Sequence, residues 1–107
     1  MATSTAIFQI LKAIDLSYEN QNFNLKTTLD LEKMKISQQR LDLLLENLVN
    51  DGYIQGIKVV RSLGGTPLVS IGLPRLTNAG LFYLEDNTEM KKAYNILKEI
   101  KGWIPGM

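Results

Sequence analysis

The chain has 107 residues, 45% of them hydrophobic and 21% charged, a composition typical of one globular domain and unlike that of disordered or fibrous proteins. Its net charge of +1 gives no overall excess that would indicate a strongly acidic or basic partner. Because the sequence contains no histidine and no cysteine, it lacks the usual general base, thiolate nucleophile and soft metal ligands of enzymes. We therefore expect no catalysis, no metal and no cofactor.

The sequence also predicts where the protein resides. The absence of cysteine fits a reducing compartment, and the stretch from Met1 to Thr5 lacks the basic segment of a signal peptide. No run of about 18 or more apolar residues is present, so no membrane segment is predicted. We expect a cytoplasmic protein.

The first predicted helix begins near Ser4 or Thr5, whose hydroxyl groups can cap free backbone N–H groups. An apolar stripe at helical spacing follows, widened on one side by two further apolar residues. The stripe consists of Ile7, Leu11, Ile14 and Tyr18, and the two residues beside it are Phe8 and Ile10. Residues 23–28 alternate weakly and predict a short strand.

Two helices joined by a short turn are predicted next. Asp30 is the predicted cap of a short helix that extends to about Lys35, with Leu31 and Met34 facing inward. Ser37 is the predicted cap of the following helix, and Gly52 suits the left-handed turn that ends it. The predicted buried stripe of that helix is Leu41, Leu44, Leu45 and Leu48.

A hairpin follows. β-branched residues between Tyr53 and Ser62 predict one strand, and the alternation from Leu68 to Leu73 predicts a second, which Pro74 ends. Val69, Ile71 and Leu73 are expected on one side of that strand. The loop between the strands, residues 63–67, contains Gly64-Gly65, which can take positive φ.

Two more helices complete the chain. Thr77 is the predicted cap of the first, in which Leu81, Tyr83 and Leu84 meet the core. Asn87 or Thr88 caps the last, which extends to about Gly102. The order helix, hairpin, helix predicts the α+β class: a single winged helix-turn-helix domain over residues 1–107, with an additional C-terminal helix at about 88–102.

Such domains bind nucleic acid or partner proteins, and the exposed side of the third helix is the main candidate site. Gln and Arg near a helix N-terminus reach base edges in the major groove of DNA. Acids on the same side would face phosphates, and an exposed leucine there is better explained by a protein contact, so both interpretations stay open. The predicted DNA-binding residues are Gln38, Gln39, Arg40 and Asn47; the competing acids are Asp42 and Glu46, and the leucine is Leu43.

Three cations of the hairpin region extend this candidate site. Lys58, Arg61 and Arg75 have no acidic residue near them between positions 53 and 76, so they could contact a phosphate backbone. Alternatively, these cations only protect exposed strand edges from aggregation. Double-stranded DNA is the first predicted partner, and a protein bound through the Leu43 face is the second.

The last helix carries more apolar residues than one contact face uses. Ile96, Ile100 and Trp103 are the predicted interface of a homodimer. The alternative is that Trp103 packs over the first helix of its own chain.

Three segments together resemble a known family. They are Leu41 to Ile54, ending in Asp51-Gly52-Tyr53-Ile54; Leu76-Thr77 with Gly80 and Tyr83-Leu84; and the closing Lys92-Ala93-Tyr94 to Trp103-Ile104. They resemble the YjcQ family of small winged-helix proteins over most of the chain. The resemblance implies a winged-helix fold, a bacterial or phage setting and a regulatory role, without implying a particular activity.

Overall fold

The computed structural model describes residues 3–17, 29, 31–61, 64–65 and 67–99. Within these residues the chain forms five α-helices and one antiparallel hairpin, which confirms the predicted α+β class. The helices are α1 (Thr3–Leu16), α2 (Leu31–Met34), α3 (Gln38–Asn50), α4 (Asn78–Asp86) and α5 (Thr88–Leu97), and the strands are β1 (Ile54–Arg61) and β2 (Pro67–Leu76). The predicted strand at 23–28 and the predicted roles of Tyr18 and Asp30 lie outside the described residues.

Helix α1 lies at the centre of the core, where it packs against α4, α5 and β2. Most of the widened apolar stripe is confirmed, because Phe8, Ile10, Leu11 and Ile14 are all at most 4% exposed, while Ile7 is only partly buried. The helix begins at Thr3, so the predicted caps Ser4 and Thr5 lie inside its first turn. The prediction that either residue caps the helix is therefore wrong.

A tight turn connects α2 to α3, as predicted. Lys35 adopts a φ of 57° and ends α2, and the N–H of Ile36 donates to the carbonyl of Leu31 at 3.2 Å. Ser37 then caps α3, because its hydroxyl accepts the N–H of Arg40 at 3.1 Å. Of the predicted inward-facing residues, Leu31 is only partly buried. The others are buried: Met34, Leu41, Leu44, Leu45 and Leu48.

The end of α3 confirms the role predicted for Gly52. This glycine has a φ of 81°, and its N–H donates to the carbonyl of Val49 at 3.1 Å. The N–H of Tyr53 donates to the carbonyl of Leu48 at 2.9 Å. The two bonds form a Schellman motif, which satisfies carbonyls that the helix end leaves unpaired.

The hairpin contains a bulge that the sequence analysis did not predict. Gln55 pairs with Arg75, but Ile57 pairs with Ile71, so Gly72, Leu73 and Pro74 lie opposite the single residue Gly56. Gly56 has a φ of 82°, and a Cβ there would lie 1.9 Å from the carbonyl oxygen of Leu73. Only glycine fits this position.

Because of the bulge, two predictions for β2 are wrong. The strand continues past Pro74 to Leu76, because a bulged residue without an N–H costs the ladder no hydrogen bond. Leu73 is 81% exposed, so it does not continue the alternation that begins at Val69.

Both C-terminal helices are capped as expected. The Thr77 hydroxyl accepts the N–H of Gly80 at 3.0 Å, and Asn87, the first of the two predicted alternatives, caps α5 through its Oδ1 atom. Helix α5 ends at Leu97, because Lys98 is its C-terminal cap; the expected extension to Gly102 is wrong for the described residues.

Candidate nucleic-acid interface

The predicted DNA-binding residues of α3 all lie at the surface. Gln38, Gln39, Arg40 and Asn47 are exposed, whereas Leu43 is half-buried. Ser37 caps the helix and so fixes where it starts. The leucine stripe packs into the core, and the polar side chains on the other side of the helix therefore face outward.

Two of these side chains have partners. Gln38 donates from Nε2 to Oδ1 of the half-buried Asp42 at 2.9 Å. Arg40 donates from Nη2 to the hydroxyl of Thr3 at 3.1 Å, which draws its guanidinium toward the start of α1. Gln38 and Arg40 therefore each use one N–H donor within the protein itself.

Glu46 does not lie on the exposed face, so its predicted position there is wrong. This residue is only 8% exposed, and its Oε1 atom lies 2.5 Å from Nη2 of Arg61. Arg61 also donates from Nη1 to the carbonyl of Gly65 at 2.6 Å. The hairpin lies against the flank of α3 and covers Glu46, which explains the burial of a charged residue.

The three hairpin cations do not form one cluster. Ile57 faces the core, and side chains alternate along a strand, so Val59 and Arg61 follow it on the inner face. Lys58 lies on the outer face. Arg75 lies there too, because Leu76 beside it is buried.

The expected absence of an acid near these cations holds along the sequence but not in space. Arg61 pairs with Glu46 across a separation of 15 positions. Lys58 and Arg75 form no ion pair within the described residues. The alternation from Ile57 to Arg61 was the sequence signal that could have revealed that Arg61 faces inward.

The predicted dimer residues are only partly described. Ile96 is 55% exposed on α5, on a different side of the helix from the buried residues Met90, Ala93 and Leu97. Ile100 and Trp103 lie outside the described residues, so the interface stays a prediction.

A groove between α1, α4 and α5 lies apart from α3. It has a volume of about 440 Å³, and buried Phe8, Leu84 and Met90 contribute to its lining. The ring of Tyr94, also part of the lining, lies 6.0 Å from the ring of Phe8, measured between centroids. None of the candidate DNA-binding residues lines this groove.

The described residues provide neither a candidate metal site nor a candidate membrane-spanning helix. The described residues contain no group of three or more acidic side chains that could hold a metal ion. No described helix is both long enough and apolar enough to cross a bilayer.

These features define a small α+β protein in which a helix with an exposed amide-rich side is flanked by an antiparallel hairpin. The sequence model of the YjcQ protein family matches residues 8–103, and the chain belongs to this family, which confirms the resemblance. A relative from Bacillus subtilis (strain 168), uncharacterized protein YjcQ, is 34% identical over 82 residues, which are 77% of this chain and 84% of the relative. No solved structure matches.

Proposed function

We propose that this protein is a non-enzymatic, DNA-binding regulator that uses a winged helix-turn-helix, with α2 and α3 as the helical pair and the hairpin as the wing. The supporting observation is the state of the two acids on α3. Asp42 accepts a hydrogen bond from Gln38, and Glu46 is buried against Arg61. Burial thus removes one of the two acids, Glu46, from the exposed face, which carries amides and Arg40 beside the half-buried Asp42 and suits a negatively charged duplex better than the sequence indicated.

Only three of the four predicted cations are available for phosphates. Arg40 keeps further N–H donors besides the one directed to Thr3, and Lys58 and Arg75 are exposed. Three phosphate contacts give a log–log salt slope of about −2.7 per chain, whereas a fourth from Arg61 would give about −3.6. Raising salt from about 50 to about 200 mM should therefore weaken binding about 40-fold, and about 150-fold if Arg61 takes part.

Fluorescence anisotropy with mixed-sequence duplex at these two salt concentrations tests the proposal. Lys58→Ala and Arg75→Ala should each reduce the slope by about 1, and Arg61→Ala should leave it unchanged. Lys92→Ala is the matched control, because Lys92 lies on α5 and pairs with Glu89. No duplex binding by the wild type at low salt would contradict DNA binding.

The second candidate is a protein-interaction module that uses the Leu43 face. The observation in its favour is the shortage of free cations, since Glu46 neutralises Arg61. It becomes the better explanation if the wild type binds no duplex at low salt.

We also propose a homodimer through α5, since so few cations per chain bind duplex weakly and two copies double the contacts. The exposed side chain of Ile96 supports this surface. Light scattering should give twice the 12.0 kDa chain mass, and Ile96→Asp should halve it. Val60→Asp, on a similarly exposed apolar residue of the hairpin, should leave the mass unchanged. A wild-type monomer at high concentration would contradict the dimer.

A further inference from the structure

One line of side chains runs along the exposed face of α3. Gln39, Leu43 and Asn47 are spaced four residues apart and therefore lie one above the other on the same side of the helix. Both amides are exposed, and the leucine between them is half-buried. We call these three residues the α3 stripe.

The charged neighbours of the α3 stripe each have a partner outside the stripe. Glu46 is buried against Arg61, and Asp42 accepts a hydrogen bond from Gln38. The guanidinium of Arg40 is directed to Thr3. Along the stripe itself, an amide, an aliphatic group and a second amide are left to face the bases, while the remaining donors of Arg40 serve the proposed phosphate contact.

This order of groups matches one kind of base pair. A glutamine or asparagine amide carries a carbonyl acceptor and an NH₂ donor group side by side, so its oxygen can accept from N6 of adenine while its nitrogen donates to N7 in the major groove. A leucine makes no hydrogen bond, but it can pack on the 5-methyl group of thymine. Guanine is read instead by a bidentate arginine or lysine, a group that the stripe lacks.

We infer that the α3 stripe selects A·T base pairs, with Gln39 and Asn47 on adenines and Leu43 on a thymine methyl group. This inference rests on the proposed DNA binding. The stripe spans eight residue steps, about 12 Å along the helix axis. At about 3.4 Å per base pair, that length covers about three to four base pairs.

Competition anisotropy with three duplexes of equal length tests the inference: A·T-rich, G·C-rich, and A·T-rich with uracil in place of thymine. The wild type should prefer the A·T-rich duplex over the G·C-rich one by about tenfold. Uracil lacks the 5-methyl group, so the third duplex should bind more weakly than the first. Leu43→Ala should abolish the difference between thymine and uracil but keep part of the preference for A·T over G·C.

Gln39→Ala and Asn47→Ala should each reduce the preference for A·T over G·C. Asn95→Ala, which removes an exposed amide from α5, is the matched control and should change neither comparison. Thermal unfolding of each variant separates a lost contact from a lost fold.

Equal wild-type affinity for the A·T-rich and G·C-rich duplexes would overturn the inference while leaving DNA binding intact. A preference that persists unchanged in Gln39→Ala, Leu43→Ala and Asn47→Ala would also overturn it, because DNA shape would then be the cause. No binding to any duplex at low salt would contradict the proposed function and the inference together.

Discussion

Arg61, the last residue of β1, places Nη2 2.5 Å from Oε1 of Glu46 in the middle of α3. The carboxylate side chain is 11% exposed and the guanidinium side chain is 55% exposed, so the pair lies at the boundary of the core. A second bond, from Nη1 to the Gly65 carbonyl, fixes the turn of the hairpin to the same arginine. This one side chain therefore joins the helix, the strand and the turn.

Arg61→Ala should reduce the free energy of unfolding by about 1–2 kcal/mol, because it leaves the Glu46 carboxylate buried without its charged partner. Glu46→Ala should cost less, since Arg61 can turn to solvent. In urea unfolding, the double variant should lose less stability than the sum of the two single losses, by about 1 kcal/mol.

Lys92→Ala is the control for this pair. It breaks a 3.6 Å contact with Glu89 in which both side chains are more than 60% exposed, and it should change stability by less than about 0.5 kcal/mol. Strict additivity of the two single losses would contradict the coupling of Arg61 to Glu46.

A buried amide on α1 is a second testable feature. Gln9 is 1% exposed, and neither its Oε1 nor its Nε2 atom has a hydrogen-bond partner in the part of the chain that the structure describes. An unpaired buried polar group costs about 1–3 kcal/mol. Gln9→Met, which nearly conserves volume, should therefore raise the free energy of unfolding by about 1–2 kcal/mol.

Chemical denaturation of Gln9→Met and of Gln39→Met, the same exchange at an exposed helical position, provides the comparison. The second variant should stay within about 0.5 kcal/mol of the wild type. A loss of stability in Gln9→Met would show that the amide is satisfied in solution.

The caps of α3, α4 and α5 were predictable because their chemistry is local. Ser37 and Thr77 each accept an N–H from three residues onward, which is a relation that the sequence contains. The burial of Glu46 was not predictable in the same way, because it depends on Arg61, which is 15 positions away. The bulge was missed because the need for Gly56 becomes visible only when Leu73 lies opposite it.

In the candidate site, too, local features were predictable from the sequence and contacts between distant elements were not. Exposure of Gln38, Gln39, Arg40 and Asn47 followed from the leucine stripe on the other side of the helix. The partners of Arg40 and Arg61 did not, because each lies on another element of the fold. Sequence pattern thus predicted that the amides and Arg40 face outward, but it could not predict that Glu46 is buried or which charges have partners.

Close contact between α4 and the chain after α3 leads to a third prediction. A Cβ at Gly80 would lie 2.1 Å from the carbonyl oxygen and 3.0 Å from the carbonyl carbon of Tyr53. That oxygen also accepts the N–H of Thr77 at 3.0 Å, so the backbone cannot move away without losing a bond. Gly80→Ala should destabilise the protein by about 1–3 kcal/mol, despite the higher helix propensity of alanine.

Gly64→Ala is the matched control, because nothing lies within 4 Å of a Cβ there and its φ is not left-handed. Thermal unfolding should give it a midpoint close to that of the wild type, while Gly80→Ala melts lower. Equal midpoints for the two variants would contradict the tight packing of α4 on Tyr53.

Tyr83 makes stability depend on pH in the alkaline range. Its ring stacks on Tyr53 with 4.6 Å between centroids. Burial raises the pKa of Tyr83 above its ordinary value of 10.0, and the charges of Tyr53, Glu89 and Asp51 raise this pKa further. The folded state therefore holds the phenolic proton more tightly than the unfolded state does.

The stabilisation linked to Tyr83 is fully present below pH 10.0 and is lost as the pH rises through the higher pKa of the folded state. Tyr83→Phe keeps the ring but cannot ionise, so its free energy of unfolding should fall less than that of the wild type between about pH 9 and about pH 11. Urea unfolding at both pH values measures the two decreases. Parallel decreases in wild type and variant would show that the phenol of Tyr83 has the same proton affinity in the folded and unfolded chains.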